Sequence, residues 1–219
     1  RVPETVVAAD SASEPVIEPL ATVDSVAVEP DTLPKTVMIV GDSMLEGLSP
    51  RLAAYCEASG HTLYTVIWYS STTKEWGGDK RRLETYMREY KPDFIFISLG
   101  ANELFVKDII DTRRDYVREI KRQLGSTPYL WIGPPNWKKD TGINELLRQE
   151  LPQGRFFVSD GMHFDRKKDG AHPTAESAVV WMDSIARWMP DHAASQLMLH
   201  QPEKKTGRPK KIFVHAINE

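Results

Sequence analysis

Thr36-Val-Met-Ile-Val-Gly-Asp-Ser43 is the stretch of sequence that decides the fold. Its first five residues are apolar or β-branched, which favours a buried strand. Gly41-Asp42-Ser43 then predicts a turn, and apolar residues at helical spacing follow from Leu45 to Gly60. This order of strand, turn and helix is how an α/β domain begins.

The same alternation continues along the chain. Further strands are predicted at residues 61–68, 93–100, 129–133 and 155–158, and further helices at residues 80–90, 112–124, 143–151 and 174–189. The strands are nearly continuous apolar runs, which are typical of a parallel sheet covered by helices on both faces. We therefore expect an α/β fold, a three-layer sandwich around a parallel five-stranded sheet.

The two ends of the chain differ from this central part. Residues 1–35 hold seven acidic and two basic residues and no aromatic residue, so we expect a disordered acidic tether. Residues 36–190 are predicted to form one catalytic domain, and residues 191–219 a basic, flexible tail. The formal net charge of −3 and the single cysteine argue against a general nucleic-acid binder and against a disulfide framework.

Three loops after predicted strands carry the side chains that acyl transfer requires. Ser43 follows the first strand, Asn102 the third, and Asp169 and His172 precede the last helix. A histidine activates a serine best when a carboxylate holds its ring, and Asp169-Gly-Ala-His172 puts both partners in one short turn. Ligands in parallel sheets bind beyond the carboxyl ends of the strands, so these side chains are expected to meet there.

Taken in order, three motifs resemble blocks of the SGNH/GDSL hydrolase family: Gly41-Asp-Ser-Met-Leu45, Gly100-Ala-Asn-Glu103 and Asp169-Gly-Ala-His-Pro173. The resemblance covers roughly residues 36–190. It implies a flavodoxin-like SGNH hydrolase fold without a cofactor or metal, with Ser43 as nucleophile, Asp169 and His172 as acid and base, and Asn102 in the oxyanion hole.

Two departures from the family pattern affect the oxyanion hole. Glu103 follows Asn102 where the family usually has aspartate, and the glycine of the second block is missing after the second strand. The N–H of Ser43 is one expected donor, and a backbone N–H of Ser71 or Thr72 is expected to replace that of the missing glycine.

A second acid and base pair, Asp160 and His163, lies just upstream of the first. A charged run follows it instead of a helix start, so Asp169 and His172 are preferred. A metal site built from these residues matches no strong ligand spacing and is not expected.

Aromatic residues indicate the substrate. Trp68, Trp76 and Trp137 lie in or beside loops at the expected active edge. Trp76 and Trp137 are predicted to bind sugar rings, and packing in the core is the alternative for each of the three. The basic residues Lys138, Lys139 and 166–168 are interpreted as a solvated surface, with contact to an anionic glycan as the alternative.

The resemblance is closest to bacterial enzymes of acylated envelope polysaccharides. It implies a periplasmic or envelope-associated esterase for O-acetyl groups, and the alternatives are an O-acetyltransferase and a non-catalytic glycan-binding module. Arg1 in place of Met leads us to expect that an upstream signal or anchor has been removed. Gly207-Arg-Pro209 among lysines resembles an AT-hook, but a solvated tail without nucleic-acid binding is preferred.

Overall fold

The structure, a computed structural model, describes residues 32–214. Residues 1–31 of the predicted tether and the last five residues lie outside this range. The strands are β1 (Thr36–Gly41), β2 (Thr62–Ile67), β3 (Phe94–Ser98), β4 (Tyr129–Ile132), β5 (Phe156–Phe157) and β6 (Lys210–Phe213).

These strands form one sheet in the order β5-β4-β3-β1-β2-β6, and every neighbouring pair is parallel. The prediction of a parallel α/β sheet is confirmed, but within residues 32–214 the sheet has six strands and not five. Because β1 lies between β3 and β2, the turn that carries Ser43 leaves the middle of the sheet.

Helices cover both faces of the sheet. They are α1 (Leu45–Ala58), α2 (Thr73–Trp76), α3 (Arg82–Tyr90), α4 (Ile109–Leu124), α5 (Ile143–Glu150) and α6 (Ala175–His192). A 3-10 helix, Glu103–Phe105, follows β3. The four predicted helices after α1 are present with shifts of up to three residues at their ends.

The central strand β1 contributes side chains to both layers of the core. Val37 and Ile39 pack with α1 and α6, whereas Met38 and Val40 pack with α3, α4 and α5. All four side chains are buried. A strand that is apolar on both faces has no solvent side, which explains the unbroken apolar run that the sequence shows.

The short helix α2 was not predicted from the sequence. Its start is a capping box: the N–H of Lys74 is bound by the Thr72 hydroxyl, and the Glu75 carboxylate accepts the N–H of Thr72. Two otherwise unsatisfied N–H groups are thus bound, which stabilises a helix of a single turn.

The C-terminal strand β6 pairs with β2 and adds a strand to the sheet edge. Residues 210–213 therefore belong to the sheet, although the sequence places them in a flexible tail. The pairing was not foreseen because Lys-Lys-Ile-Phe is too short and too polar to show a strand pattern.

The Gly207-Arg-Pro209 string also contacts the domain. The N–H of Gly207 donates to the carbonyl of Pro50 at 2.7 Å, and that of Arg208 donates to the Glu57 carboxylate at 3.0 Å. A Cβ at position 207 would lie 2.7 Å from the backbone of α1. The glycine is thus explained by close packing on α1.

Candidate active site

The turn between β1 and α1 exposes Ser43 at the carboxyl edge of the sheet. The N–H of Met44 donates to the Asp42 carboxylate at 2.9 Å, and the N–H of Glu46 donates to the Ser43 carbonyl at 3.1 Å. A Cβ at Gly41 would lie 2.1 Å from the carbonyl oxygen of Ser98 on β3, so only glycine fits there. The turn is therefore fixed on both sides of Ser43, whose side chain stays half-buried.

Ser43, His172 and Asp169 form one hydrogen-bonded line. The Ser43 Oγ lies 2.7 Å from His172 Nε2, and His172 Nδ1 lies 2.9 Å from Asp169 Oδ2. These are the contacts of a nucleophile, its base and the carboxylate that orients the base. Residues 129 positions apart in the sequence meet here, as the sequence analysis predicted.

Asp169 is held ionised by its own loop. Its Oδ1 accepts the main-chain N–H of Ala171 at 2.8 Å and of His172 at 2.9 Å. The N–H groups of His172 and Ala171, together with the imidazole, lower the pKa of Asp169 to about 2. A carboxylate that stays charged at neutral pH can stabilise an imidazolium beside it.

Arg166 ties this loop to the loop that follows β4. Its guanidinium donates to the carbonyl of Ala171 at 2.8 Å, of Pro135 at 2.9 Å and of Asn136 at 3.0 Å. Arg166 was interpreted as part of a solvated basic surface, but its side chain is half-buried and bound to main-chain carbonyls. It therefore fixes the position of the segment that carries His172.

The alternative pair lies apart from this line. The His163 side chain is 91% exposed, and its Nε2 lies 3.5 Å from Asp165. Asp160 accepts a hydrogen bond from Asn136 at 3.4 Å. Of the two predicted histidines, the structure brings His172 to Ser43.

Asn102 lies beside the turn that carries Ser43. Its Nδ2 donates to the carbonyl of Ser71 at 2.9 Å and has a longer contact of 3.4 Å to the Asp42 carboxylate. An amide nitrogen carries two N–H groups, and one of them binds the Ser71 carbonyl. To bind a reacting oxygen, the other would exchange its long contact with Asp42 for that oxygen.

The predicted N–H donor of Ser71 is wrong. That N–H donates to the carbonyl of Trp68 at 3.1 Å, and the N–H of Thr72 is bound by Glu75 at 2.7 Å. Both groups close the turn after β2 and cap α2, so neither can face an oxyanion. Ser70 has a φ of 59°, in the left-handed region that favours glycine, and it stands in the loop where the family resemblance implies a glycine.

Two buried carboxyl groups lie behind Asn102. Burial raises the pKa of Asp42 to about 7, and the nearby Glu103 adds to the rise. Burial also raises the pKa of Glu103, whose Oε1 accepts the N–H of Thr73 at 2.5 Å. Each acid holds a main-chain N–H of one catalytic loop, so the pair fixes the loops after β1 and β2 around Asn102.

The two tryptophans predicted to bind sugar differ in their surroundings. Trp76 is 1% exposed, and its indole N–H donates to the Ser71 hydroxyl at 2.9 Å, so it is a core residue and cannot contact a substrate. Trp137 is half-buried, and its indole N–H donates to the carbonyl of Ala101 at 3.1 Å. Trp137, on the segment after β4, thus packs against the loop that carries Asn102.

Three aromatic residues that the sequence analysis missed are exposed at the same edge: Tyr69, Phe105 and Phe213. Each lies at or just after the carboxyl end of a strand, but this gives no signal until the strands are placed. Within residues 32–214, no cluster of three or more His, Cys, Asp or Glu side chains could hold a metal ion. No helix in this range is long and apolar enough to cross a bilayer.

Comparison with solved structures identifies the fold. The psychrotrophic esterase EstA from Pseudoalteromonas sp. superposes with a TM-score of 0.51 at 18% identity, covering 71% of this chain and 99% of that one. A protein from Desulfitobacterium hafniense assigned to the G-D-S-L family of lipolytic proteins gives a TM-score of 0.50 at 14% identity, covering 69% and 98%.

A two-domain esterase active on acetylated mannans gives a TM-score of 0.51 at 14% identity, covering 77% of this chain and 53% of that one. No family model matches the sequence. No curated protein matches it either. At these identities the likeness shows the fold, which is the SGNH/GDSL hydrolase fold that the sequence motifs imply.

Proposed function

We propose that this chain is a serine esterase of the SGNH type that removes O-acetyl groups from a cell-envelope polysaccharide. The observation that carries the proposal is the line from the Ser43 hydroxyl through His172 to Asp169, with distances of 2.7 and 2.9 Å. It lies at the carboxyl edge of a parallel sheet, where such folds bind their ligands.

The expected chemistry follows from these contacts. His172 Nε2 takes the proton of the Ser43 hydroxyl as the oxygen attacks the ester carbonyl, and the charge of Asp169 stabilises the imidazolium. His172 then gives the proton to the leaving sugar oxygen, which leaves an acyl group on Ser43. Water attacks that ester in the second half of the reaction, and the proton passes through His172 again.

The negative oxygen formed in each step needs hydrogen-bond donors. Asn102 Nδ2 and the N–H of Ser43 at the start of α1 are two of them. For the third we propose the N–H of Ser70, because the N–H groups of Ser71 and Thr72 are bound elsewhere and Ser70 has the left-handed backbone of a glycine.

The polysaccharide is supported by the exposed aromatic rings at the active edge and by the fold shared with the esterase active on acetylated mannans. We also propose that the enzyme acts in the periplasm or at the cell envelope. Transfer of the acetyl group to a sugar hydroxyl uses the same three residues, so an O-acetyltransferase is the second candidate.

The test is acetate release from acetylated xylan, peptidoglycan and a nitrophenyl acetate, with Ser43→Ala and Asp169→Asn as variants. We expect Ser43→Ala to abolish turnover and to prevent labelling by a fluorophosphonate probe. Asp169→Asn is expected to lower kcat by up to about 10⁴-fold, because the amide does not hold the required tautomer. Equal acetate release by the wild type and Ser43→Ala would end the proposal.

Adding a soluble oligosaccharide acceptor separates the two candidates. A hydrolase releases free acetate at a rate that the acceptor does not change. An acetyltransferase produces acetylated oligosaccharide at the expense of acetate, which mass spectrometry detects.

A further inference from the structure

Exposed aromatic rings are concentrated at the active edge. Among residues 32–214, five large hydrophobic residues are exposed, and the three aromatic ones are Tyr69 (50%), Phe105 (60%) and Phe213 (41%). Tyr69 follows β2, Phe105 follows β3, and Phe213 ends β6. Apolar side chains left exposed together at one edge mark a binding surface.

Tyr69 and Phe213 form one pair. Their ring planes differ by 8° and their centroids lie 6.0 Å apart. Phe213 comes from β6, the strand that the sequence assigns to a flexible tail. The pairing of β6 with β2 places this ring beside Tyr69.

The pair is fixed close to Ser43 through Glu46. The Tyr69 hydroxyl donates to Glu46 Oε1 at 2.5 Å, and the Lys211 ammonium donates to Glu46 Oε2 at 2.6 Å. Glu46 lies three residues after Ser43, and its N–H is bonded to the Ser43 carbonyl. Glu46, which binds the Tyr69 hydroxyl, therefore lies one helical turn after the nucleophile.

We propose that Tyr69 and Phe213 form a stacking subsite for a pyranose ring of the glycan whose ester Ser43 attacks. This inference rests on the proposed function and names the residues that recognise its substrate. The face of an aromatic ring is electron-rich, and the C–H bonds on one face of a sugar carry a weak positive charge, so the two surfaces attract each other.

The polar rim of the pair favours a sugar over a long acyl chain. Glu46 binds both the Tyr69 hydroxyl and the Lys211 ammonium, so a carboxylate and an ammonium group, both 30% exposed, lie at one side of the pair. Covering charged groups with a hydrocarbon chain would remove their water without replacing its hydrogen bonds, which is costly. Sugar hydroxyls supply those hydrogen bonds.

A second aromatic pair lies on the opposite side of Ser43. Phe105 and Trp137 meet at 5.3 Å, on segments that follow β3 and β4, and the Lys138 ammonium lies 4.3 Å from the Phe105 ring. In the sheet, β3 and β2 are the two neighbours of β1, so the two pairs flank the turn that carries Ser43. Rings on both sides of the nucleophile fit a chain of sugars that crosses the site.

The test compares Phe213→Ala with the wild type on acetylated xylan, nitrophenyl acetate and nitrophenyl octanoate. We expect the ratio of kcat/KM on xylan to kcat/KM on nitrophenyl acetate to fall about three- to tenfold. Phe213→Trp is expected to restore the ratio. Val180→Ala, which truncates an exposed apolar residue of α6, is the matched control and should leave the ratio unchanged.

A second measurement does not require turnover. Binding of acetylated xylan to Ser43→Ala is measured by affinity electrophoresis, and adding Phe213→Ala is expected to weaken it by the same factor. If truncation disturbs β6 in a thermal melt, Phe213→Leu keeps the apolar volume and removes only the ring face. This separates the subsite from the proposed reaction, because binding can persist in a protein that hydrolyses nothing.

An unchanged xylan ratio and unchanged xylan binding in Phe213→Ala or Phe213→Leu would overturn the subsite. A loss confined to nitrophenyl octanoate would also overturn it, and would assign the rings to an acyl chain.

Discussion

Replacing Arg166 tests whether His172 is held in place by a distant loop. The Arg166 guanidinium donates three hydrogen bonds of 2.8–3.0 Å to main-chain carbonyls, one in the histidine loop and two after β4. The bonds Lys167 N–H to His172 O and Thr174 N–H to Asp165 O, both 2.8 Å, shape the histidine loop, and the N–H of Asp165 donates to the Ser177 hydroxyl of α6 at 2.9 Å. Arg166→Ala therefore removes the side-chain hydrogen bonds between the histidine loop and the loop after β4, while the attachment to α6 remains.

The expected magnitude follows from these three bonds. A hydrogen bond to a charged group contributes about 1.5–3 kcal/mol, but the carbonyls of this half-buried site can regain water after truncation. We expect a total loss of about 2–3 kcal/mol in the free energy of unfolding. A shift of His172 by about 1 Å relative to Ser43 is expected to lower kcat by about a hundredfold. KM should change little, because Arg166 acts on the base and not on the substrate.

The assay is hydrolysis of nitrophenyl acetate with a thermal melt of each variant. Arg166→Lys keeps the charge but replaces a planar fork of donors by a single ammonium, so it is expected to recover only part of kcat. Lys168→Ala removes an exposed charge from the same basic run and is the matched control. If Arg166→Ala kept kcat within threefold of the wild type, the loop would hold His172 without Arg166.

Three further perturbations test single features. Burial raises the pKa of Asp42 from 3.8 to about 7, so the folded protein binds this proton more tightly than the unfolded chain, and the free energy of unfolding should fall as pH rises from about 4 through 7. Asp42→Asn should remove this part of the pH dependence of the melting temperature. Parallel plots of melting temperature against pH for the wild type and Asp42→Asn would contradict the prediction. Gly207→Ala places a Cβ 2.7 Å from the backbone of α1 and is expected to lower the free energy of unfolding by about 1–3 kcal/mol in a denaturant titration. Gly60→Ala is the control for backbone strain alone, because its added Cβ has no atom within 4 Å but its φ is 73°. Ser70→Gly removes the backbone strain of a serine with a φ of 59° and keeps its N–H, so kcat should be retained and the free energy of unfolding should rise by up to about 1 kcal/mol. A large loss of kcat would show that the serine side chain is needed.

The catalytic loops could be predicted because their chemistry is local. Apolar strands alternating with helices place every β-to-α loop at one edge of a parallel sheet, whatever the strand order. Asp169 and His172 meet within one short turn, and the turn is closed by the N–H bonds that Asp169 accepts. Placing Ser43 beside them required only the direction of the strands.

The oxyanion donor in the loop after β2 could not be predicted, because it depends on which N–H groups of that loop are already bound to other residues. Ser71 and Thr72 were natural candidates after β2, but the turn to Trp68 and the cap of α2 use both N–H groups. Trp76 was placed at the surface for the same reason: a loop would have exposed it, and the one-turn helix α2 buries it.

The strand β6 was missed because its position is set by contacts far away in sequence. Its four residues pair with β2, about 145 residues earlier, and no local pattern specifies this partner. The exposed rings at the active edge depend on the same pairing, since Phe213 reaches Tyr69 only when β6 is in the sheet.

Basic residues were the other class that the sequence could not assign, and two arginines show the physical reason. Arg51 donates to the carbonyls of Lys204 and Lys205 and to the Asp183 carboxylate, just as Arg166 donates to loop carbonyls on both sides of the site. A guanidinium carries five N–H donors in a rigid plane and no acceptor, so it can bind several carbonyls of a segment that lacks helix or strand partners. In a chain with one cysteine, no intrachain disulfide can hold such segments. These two arginines attach the C-terminal segment and the histidine loop, and a charge count along the sequence cannot distinguish them from solvated lysines.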